Sequence, residues 1–181
     1  MKPTLTTAAS VISAAAAIGT TALSQSVASS PELLHTQTAF DIVVHLPYAE
    51  AAPLFGPEGE RLWAGKQWNP QFLYPQPARD EQGAVFTIHH GSVTAVWVNT
   101  LFDLESRHFQ YAYFIPDIMV TTIDARFAPN NSTTTQVHIT YTRTALTPDG
   151  NNHVTAITAI DKNASDDWQS AIDTYLATRK P

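Results

Sequence analysis

From Ala84 to Leu146 the chain alternates apolar and polar residues with a period of two. Side chains of a strand point alternately to its two faces, so this pattern predicts half-buried β-strands. The predicted strands are Ala84–His90, Val93–Leu104, His108–Ile115, Met119–Phe127 and Thr134–Leu146, preceded by Thr38–Leu46 and a short Phe72–Tyr74. Between the later strands stand Gly91-Ser92, Glu105-Ser106-Arg107, Pro116-Asp117 and Pro129-Asn130-Asn131, all of turn-forming composition. The period changes twice. From Tyr48 to Ala64 it lengthens to that of two small helices: one carries Ala51, Leu54 and Phe55, and the next opens at Gly56-Pro57-Glu58-Gly59-Glu60. Pro57 suits a first helical position, and Glu58 and Glu60 suit the positive end of the helix dipole. After Pro148-Asp149-Gly150, apolar residues recur at steps of three and four from Val154 through Trp168 to Tyr175, with a break near Asn163. The pattern predicts an α+β domain: a strand, two short helices, an antiparallel meander and a long terminal helix.

Turn lengths fix which side chains share a face. A two-residue turn at Gly91-Ser92 pairs His90 with Val93 and sets Phe86 opposite Trp97. A three-residue turn at Glu105–Arg107 pairs Leu104 with His108, Asp103 with Phe109, Leu101 with Tyr111 and Asn99 with Tyr113. One face then carries Trp97, Asn99, Leu101, Asp103, Phe109, Tyr111 and Tyr113. A two-residue turn at Ser106-Arg107 would instead turn Asp103 and Trp97 outward. On the last strand Val137, Ile139 and Tyr141 point inward. Aromatic rings with a few polar groups can line a small-molecule pocket, and they can equally be ordinary core.

The residues also carry a resemblance. The stretch Leu54–Ala64, then Trp68–Pro75, is similar to a bacterial branch of the SRPBCC superfamily, which includes START lipid-binding domains, the major birch-pollen allergen and polyketide cyclases. Gly83, Phe86, Trp97 and Asp103 follow in matching order, and Trp168, Ala171, Ile172, Tyr175 and Leu176 match the closing helix. The resemblance covers residues 38–178 and implies a helix-grip fold, in which a curved antiparallel sheet wraps a long C-terminal helix. It also implies a cavity for hydrophobic or amphipathic ligands, without fixing a reaction. The expected ligand-binding residues are Phe86, Trp97, Asn99, Asp103, Tyr111, Tyr113, Tyr141 and Trp168. Asp103, beside Asn99 and two tyrosines in an apolar pocket, is the candidate acid or base. The first expectation is a carrier or binding protein. The alternatives are a cyclase- or dehydratase-like enzyme and an interaction domain whose interior is filled by its own side chains.

Composition narrows this. The chain has 181 residues and a formal charge of −6, with its ten basic residues scattered, so nucleic acid is not an expected partner. With no cysteine, disulfides, thiolate metal sites and thiol nucleophiles are excluded. His89 and His90 are adjacent on a strand and point apart, and the other histidines show no metal-ligand spacing, so neither a metal nor any other cofactor is implied. Asp124 and Arg126 read as an exposed surface pair. Lys2, the apolar stretch from Val11 to Leu23 and Ser26-Val27-Ala28 have the parts of a secretory signal. They predict cleavage after residue 28, a linker over 29–37, a ligand-binding domain over 38–180, and a periplasmic or secreted product, the alternative being an Ala/Ser/Thr-rich leader that stays attached to a cytoplasmic protein. The apolar run falls short of the about 20 residues of a membrane span, so no stable membrane insertion is expected once the signal is removed.

Overall fold

The computed structural model describes residues 32–91 and 93–179. The predicted leader and the first three residues of the predicted linker therefore lie outside the described residues. Seven antiparallel strands form one curved sheet: β1 (His35–Val44), β2 (Gln71–Tyr74), β3 (Val85–His90), β4 (Val93–Asp103), β5 (His108–Ile115), β6 (Met119–Pro129) and β7 (Thr135–Ala145). Their spatial order is β1-β7-β6-β5-β4-β3-β2. The chain is thus a meander from β2 to β7, with β1 added against β7. The inward face shows clearly on β7, where Thr135, Val137, Ile139, Tyr141, Arg143 and Ala145 are all buried.

Between β1 and β2 the chain forms α1 (Tyr48–Ala51), a 3-10 turn (Ala52–Phe55) and α2 (Pro57–Glu60). Gly59 makes this insert possible, because a Cβ there would lie 1.9 Å from the Pro53 carbonyl oxygen. Asp80 closes the other side, accepting from the Glu58 N–H at 2.8 Å and the Gly59 N–H at 3.3 Å.

The C-terminal helix is α3 (Pro148–Ile160) followed by α4 (Ala164–Thr178), joined through a 3-10 turn at Asp161–Asn163. The break expected near Asn163 is this turn. Helix α3 starts earlier than its apolar period suggests. Thr147 caps it by accepting from the Gly150 N–H at 3.1 Å, and Gly150 lies inside the first turn. A Cβ on Gly150 would meet the Ile118 carbonyl oxygen at 2.2 Å, so glycine is needed where the helix lands on the β5–β6 turn. The arrangement is a helix-grip fold.

The register of β3 on β4 follows the two-residue turn: His90 pairs with Val93, and Phe86 with Trp97. The register of β4 on β5 does not follow the three-residue turn. Asp103 pairs with His108, Phe102 with Phe109 and Leu101 with Gln110, but Asn99 pairs with Tyr111 and Trp97 with Tyr113. The turn covers residues 104–107, with Arg107 at φ 58°, and Thr100 is an extra residue that bulges from β4. The longer turn inverts the facing order and the bulge restores it. Trp97 and Asn99 therefore point inward as expected, while past the bulge Phe102 replaces Leu101 and Asp103 on the inner face. The bulge is tied down where it occurs, since Thr100 Oγ1 donates to the Gln110 carbonyl oxygen at 3.1 Å.

Candidate functional site

Between the sheet, the insert and α4 lies a cavity of about 280 Å³. The sequence contains four tryptophans, and all of them line it. Trp63 follows α2 and donates its indole N–H to the Leu54 carbonyl oxygen at 2.7 Å. Trp68 lies in the loop toward β2 and donates to the Pro57 carbonyl oxygen at 2.9 Å. These two bonds fix the insert as one wall. Trp97 comes from β4 and Trp168 from α4. The rings meet edge to face, Trp63 on Trp168 at 5.1 Å and Trp68 on Trp97 at 5.2 Å between centroids. Tyr111 and Tyr141 complete the aromatic lining. The Tyr111 hydroxyl donates to the Phe55 carbonyl oxygen, which pins the insert to β5.

The cavity holds one buried carboxyl group, Glu60. Burial raises its pKa well above the usual carboxylate range, and the negative charge of Asp80 adds to the rise. Among the described residues neither a hydrogen bond nor a cation offsets these effects. The same burial, with Glu60 as the next cause, raises the Tyr111 and Tyr141 hydroxyls above their ordinary range. Asp167 of α4 is a second, exposed carboxylate on the lining. Among the described residues no lysine, arginine or histidine is on this lining. A carboxyl group that keeps its proton in an apolar site can donate a hydrogen bond to a ligand or exchange a proton with it.

The residues singled out from sequence are distributed as follows. Trp97, Tyr111, Tyr141 and Trp168 are on the cavity lining. Tyr113 stacks on Trp97 at 4.2 Å and lines a second chamber of about 260 Å³ beside the first. Phe86 lies one layer back, stacked on Trp97 at 5.8 Å and on Phe72 at 5.4 Å, and supports the indole from behind. Asn99 is buried away from both chambers, its amide donating to the Glu81 carbonyl oxygen at 3.2 Å. Asp103 is outside the cavity. It accepts from the backbone N–H groups of Glu105 at 2.9 Å and Ser106 at 3.1 Å, and so builds the β4–β5 turn. Its pKa is lowered rather than raised, first by the Ser106 side chain and then by the Ser106 backbone N–H. Asp103 is therefore not the carboxyl group that meets the cavity, where Glu60 lies instead, and the cause is the longer turn at 104–107, which pairs Asp103 with His108.

Sequence reasoning placed Glu60 at a helix start and left Arg143 out. Arg143 had a signal: it continues the inward alternation Val137, Ile139, Tyr141. Glu60 had none, because its burial depends on the distant Pro53, Asp80 and Tyr111 partners of the insert.

The sheet order, the insert after β1 and the gripped helix define the helix-grip fold of birch-pollen-allergen type. Solved structures share this fold with the chain. Truncated norcoclaurine synthase from Thalictrum flavum matches with a TM-score of 0.61 and 10% identity, over 83% of this chain and 99% of that one. An uncharacterized protein from Rhizobium leguminosarum matches at 0.57 and 11% identity, over 79% and 97%. The protein Ara h 8.0201 matches at 0.57 and 11% identity, over 81% and 100%. No family model and no curated protein sequence matches the chain. At such identities the likeness establishes the fold alone.

Proposed function

We propose that the protein binds a hydrophobic or amphipathic small molecule, aromatic in part, in the cavity between its sheet and its C-terminal helix. One observation carries this reading: all four tryptophans surround a space of about 280 Å³ that no side chain fills. Protein interiors contain few voids larger than a water molecule, whose share of liquid volume is about 30 Å³. The size is at the small end of ligand pockets, which run from about 300 to 1,000 Å³, and suits a compact ring system. The open space also counts against an interaction domain filled by its own side chains. Norcoclaurine synthase, of the same fold, has been solved with dopamine and hydroxybenzaldehyde, so the architecture accommodates small aromatic compounds.

Native mass spectrometry of protein purified from its own host tests the reading, with titration of tryptophan emission by 1-anilinonaphthalene-8-sulfonate alongside it. A retained apolar compound, or a saturable emission change, is the expected result. Bare protein whose emission does not respond overturns the reading.

A second reading has its own support. Glu60 is a buried carboxyl group poised to hold a proton beside the cavity, which suits a cyclase- or dehydratase-like enzyme. In that case Glu60→Gln lowers turnover by about 10²–10⁴-fold, and Asp103→Asn does not. Carriage remains the preferred reading because, among the described residues, no lysine, arginine or histidine joins Glu60 on the lining. We also propose export with a mature start near Ser29. N-terminal sequencing from the native host checks this, and a cytosolic protein that retains Lys2 would overturn it.

A further inference from the structure

The chamber of about 260 Å³ beside the main cavity shares Trp97, Ile123, Tyr141, Asp167 and Trp168 with it, so the two spaces meet at the same five side chains. Its floor is ionic. Arg143, on the inward face of β7 and only 3% exposed, gives both terminal guanidinium nitrogens to Asp161 in the turn between α3 and α4. The Thr38 hydroxyl donates to the same carboxylate at 2.6 Å. The oxygens of Asp161 are therefore engaged, while the Arg143 Nε–H has no partner among the described residues. Trp97 is in the same state. Phe86 and Tyr113, on the strands either side of β4, stack against its indole, and its N–H meets no acceptor.

Three buried polar side-chain atoms among the described residues lack a hydrogen-bond partner. The Asn99 oxygen is away from the chamber. The other two are both N–H donors, and both belong to residues on the chamber wall. A buried donor without an acceptor destabilises a fold, and such groups are rare. The charge of Arg143 is already met by Asp161, and Asp167 adds a negative charge to the same wall. That balance opposes a carboxylate or phosphate and favours an uncharged acceptor.

We infer that this chamber recognises a neutral carbonyl-type oxygen on the ligand, such as that of a ketone, quinone, ester or amide, through the Arg143 Nε–H and the Trp97 indole N–H. The inference rests on the ligand-binding reading above and gives it a polarity: the apolar skeleton lies among the tryptophans, and its carbonyl end lies over Arg143.

The test measures tryptophan quenching by 2-ethylnaphthalene, 2-acetylnaphthalene and 2-naphthoate on the full chain. The ketone should bind about five- to tenfold tighter than the hydrocarbon, the worth of one net hydrogen bond, and the carboxylate more weakly than the ketone. Arg143→Lys keeps the positive charge but loses the Nε donor, and should bring the ketone-to-hydrocarbon ratio close to one. Trp97→Phe keeps a ring without the N–H and should reduce the ratio in part. It carries the test if circular dichroism shows the Arg143 variant unfolded. A ratio of one in the parent protein, a ratio unchanged in the folded variants, or tighter binding of 2-naphthoate would each overturn the inference while leaving cavity binding intact. If none of the three compounds binds, the ligand-binding reading fails together with it.

Discussion

The short-helix insert between β1 and β2 and the turn between β4 and β5 each carry a carboxyl group, and the two groups have opposite fates. Glu60 is held inside by a frame of contacts around it: Gly59 against Pro53, Asp80 on the α2 backbone, Tyr111 on Phe55. Asp103 is held outside by its own neighbours, whose N–H groups it accepts. The two regions touch, since the Tyr48 hydroxyl of α1 donates to the Leu104 carbonyl oxygen at 2.7 Å. What separates them is hydration. One carboxyl group has lost water without gaining partners and holds its proton to higher pH than usual, while the other has gained donors at the surface and releases its proton at lower pH than usual. The same functional group is thus a candidate proton holder in one region and a turn-builder in the other.

The largest expected difference between the regions is in stability. Trp63→Ala removes a buried ring that anchors the insert to Leu54 and to Trp168, and should cost about 3–5 kcal/mol. Urea unfolding measures it, and a loss below about 1 kcal/mol would mean that the insert is not part of the core.

The next contrast is in pH dependence. The folded-state pKa of Glu60 is above its ordinary value of 4.5, so unfolding releases a proton in the window between the two. The stability of the parent protein should therefore fall as pH rises from about 4.5 through the folded-state value. Glu60→Gln should remove that fall, leaving the variant the more stable at neutral pH and little different at pH 4. Thermal unfolding across pH 4–8 checks this, and parallel curves would place Glu60 in water.

Asp103 has the opposite sign and a smaller effect. Its folded-state pKa is below its ordinary value of 3.8, so its contribution is present above that value and is lost as pH falls through the lowered one. Asp103→Asn should lower stability slightly at neutral pH, converge with the parent in acid, and leave ligand affinity unchanged. An affinity change of tenfold or more would return Asp103 to the cavity. The smallest effect belongs to Leu104→Ala at the tip of the same turn, where the side chain is 52% exposed. Denaturation should register a change within about 0.5 kcal/mol, and a larger one would show the turn to be as deeply packed as the insert.

The order of elements was legible along the chain because it rests on local periodicity. Alternation along β4, β5, β6 and β7 marks strands wherever one face is buried, and the apolar steps from Val154 to Tyr175 mark a helix under the same condition. The Gly91-Ser92 turn fixed the β3–β4 register, and with it the Phe86–Trp97 pair, because a two-residue hairpin leaves one solution. From these followed the seven-stranded sheet, the terminal helix and an aromatic inner face.

The identity of the cavity's carboxyl group was decided only by tertiary structure. From Asn99 to His108 the sequence permits either a three-residue turn or the longer one at 104–107, and only the longer one pairs Asp103 with His108. Glu60 carries the mark of a solvated helix start until the fold sets Pro53, Asp80 and Tyr111 around it. Arg143 likewise becomes a buried ion-pair partner only because Asp161 arrives from the turn between α3 and α4. Periodicity records which side of an element loses water. It does not record which distant group arrives there, and for a carboxyl or guanidinium group that neighbour sets charge, proton and role.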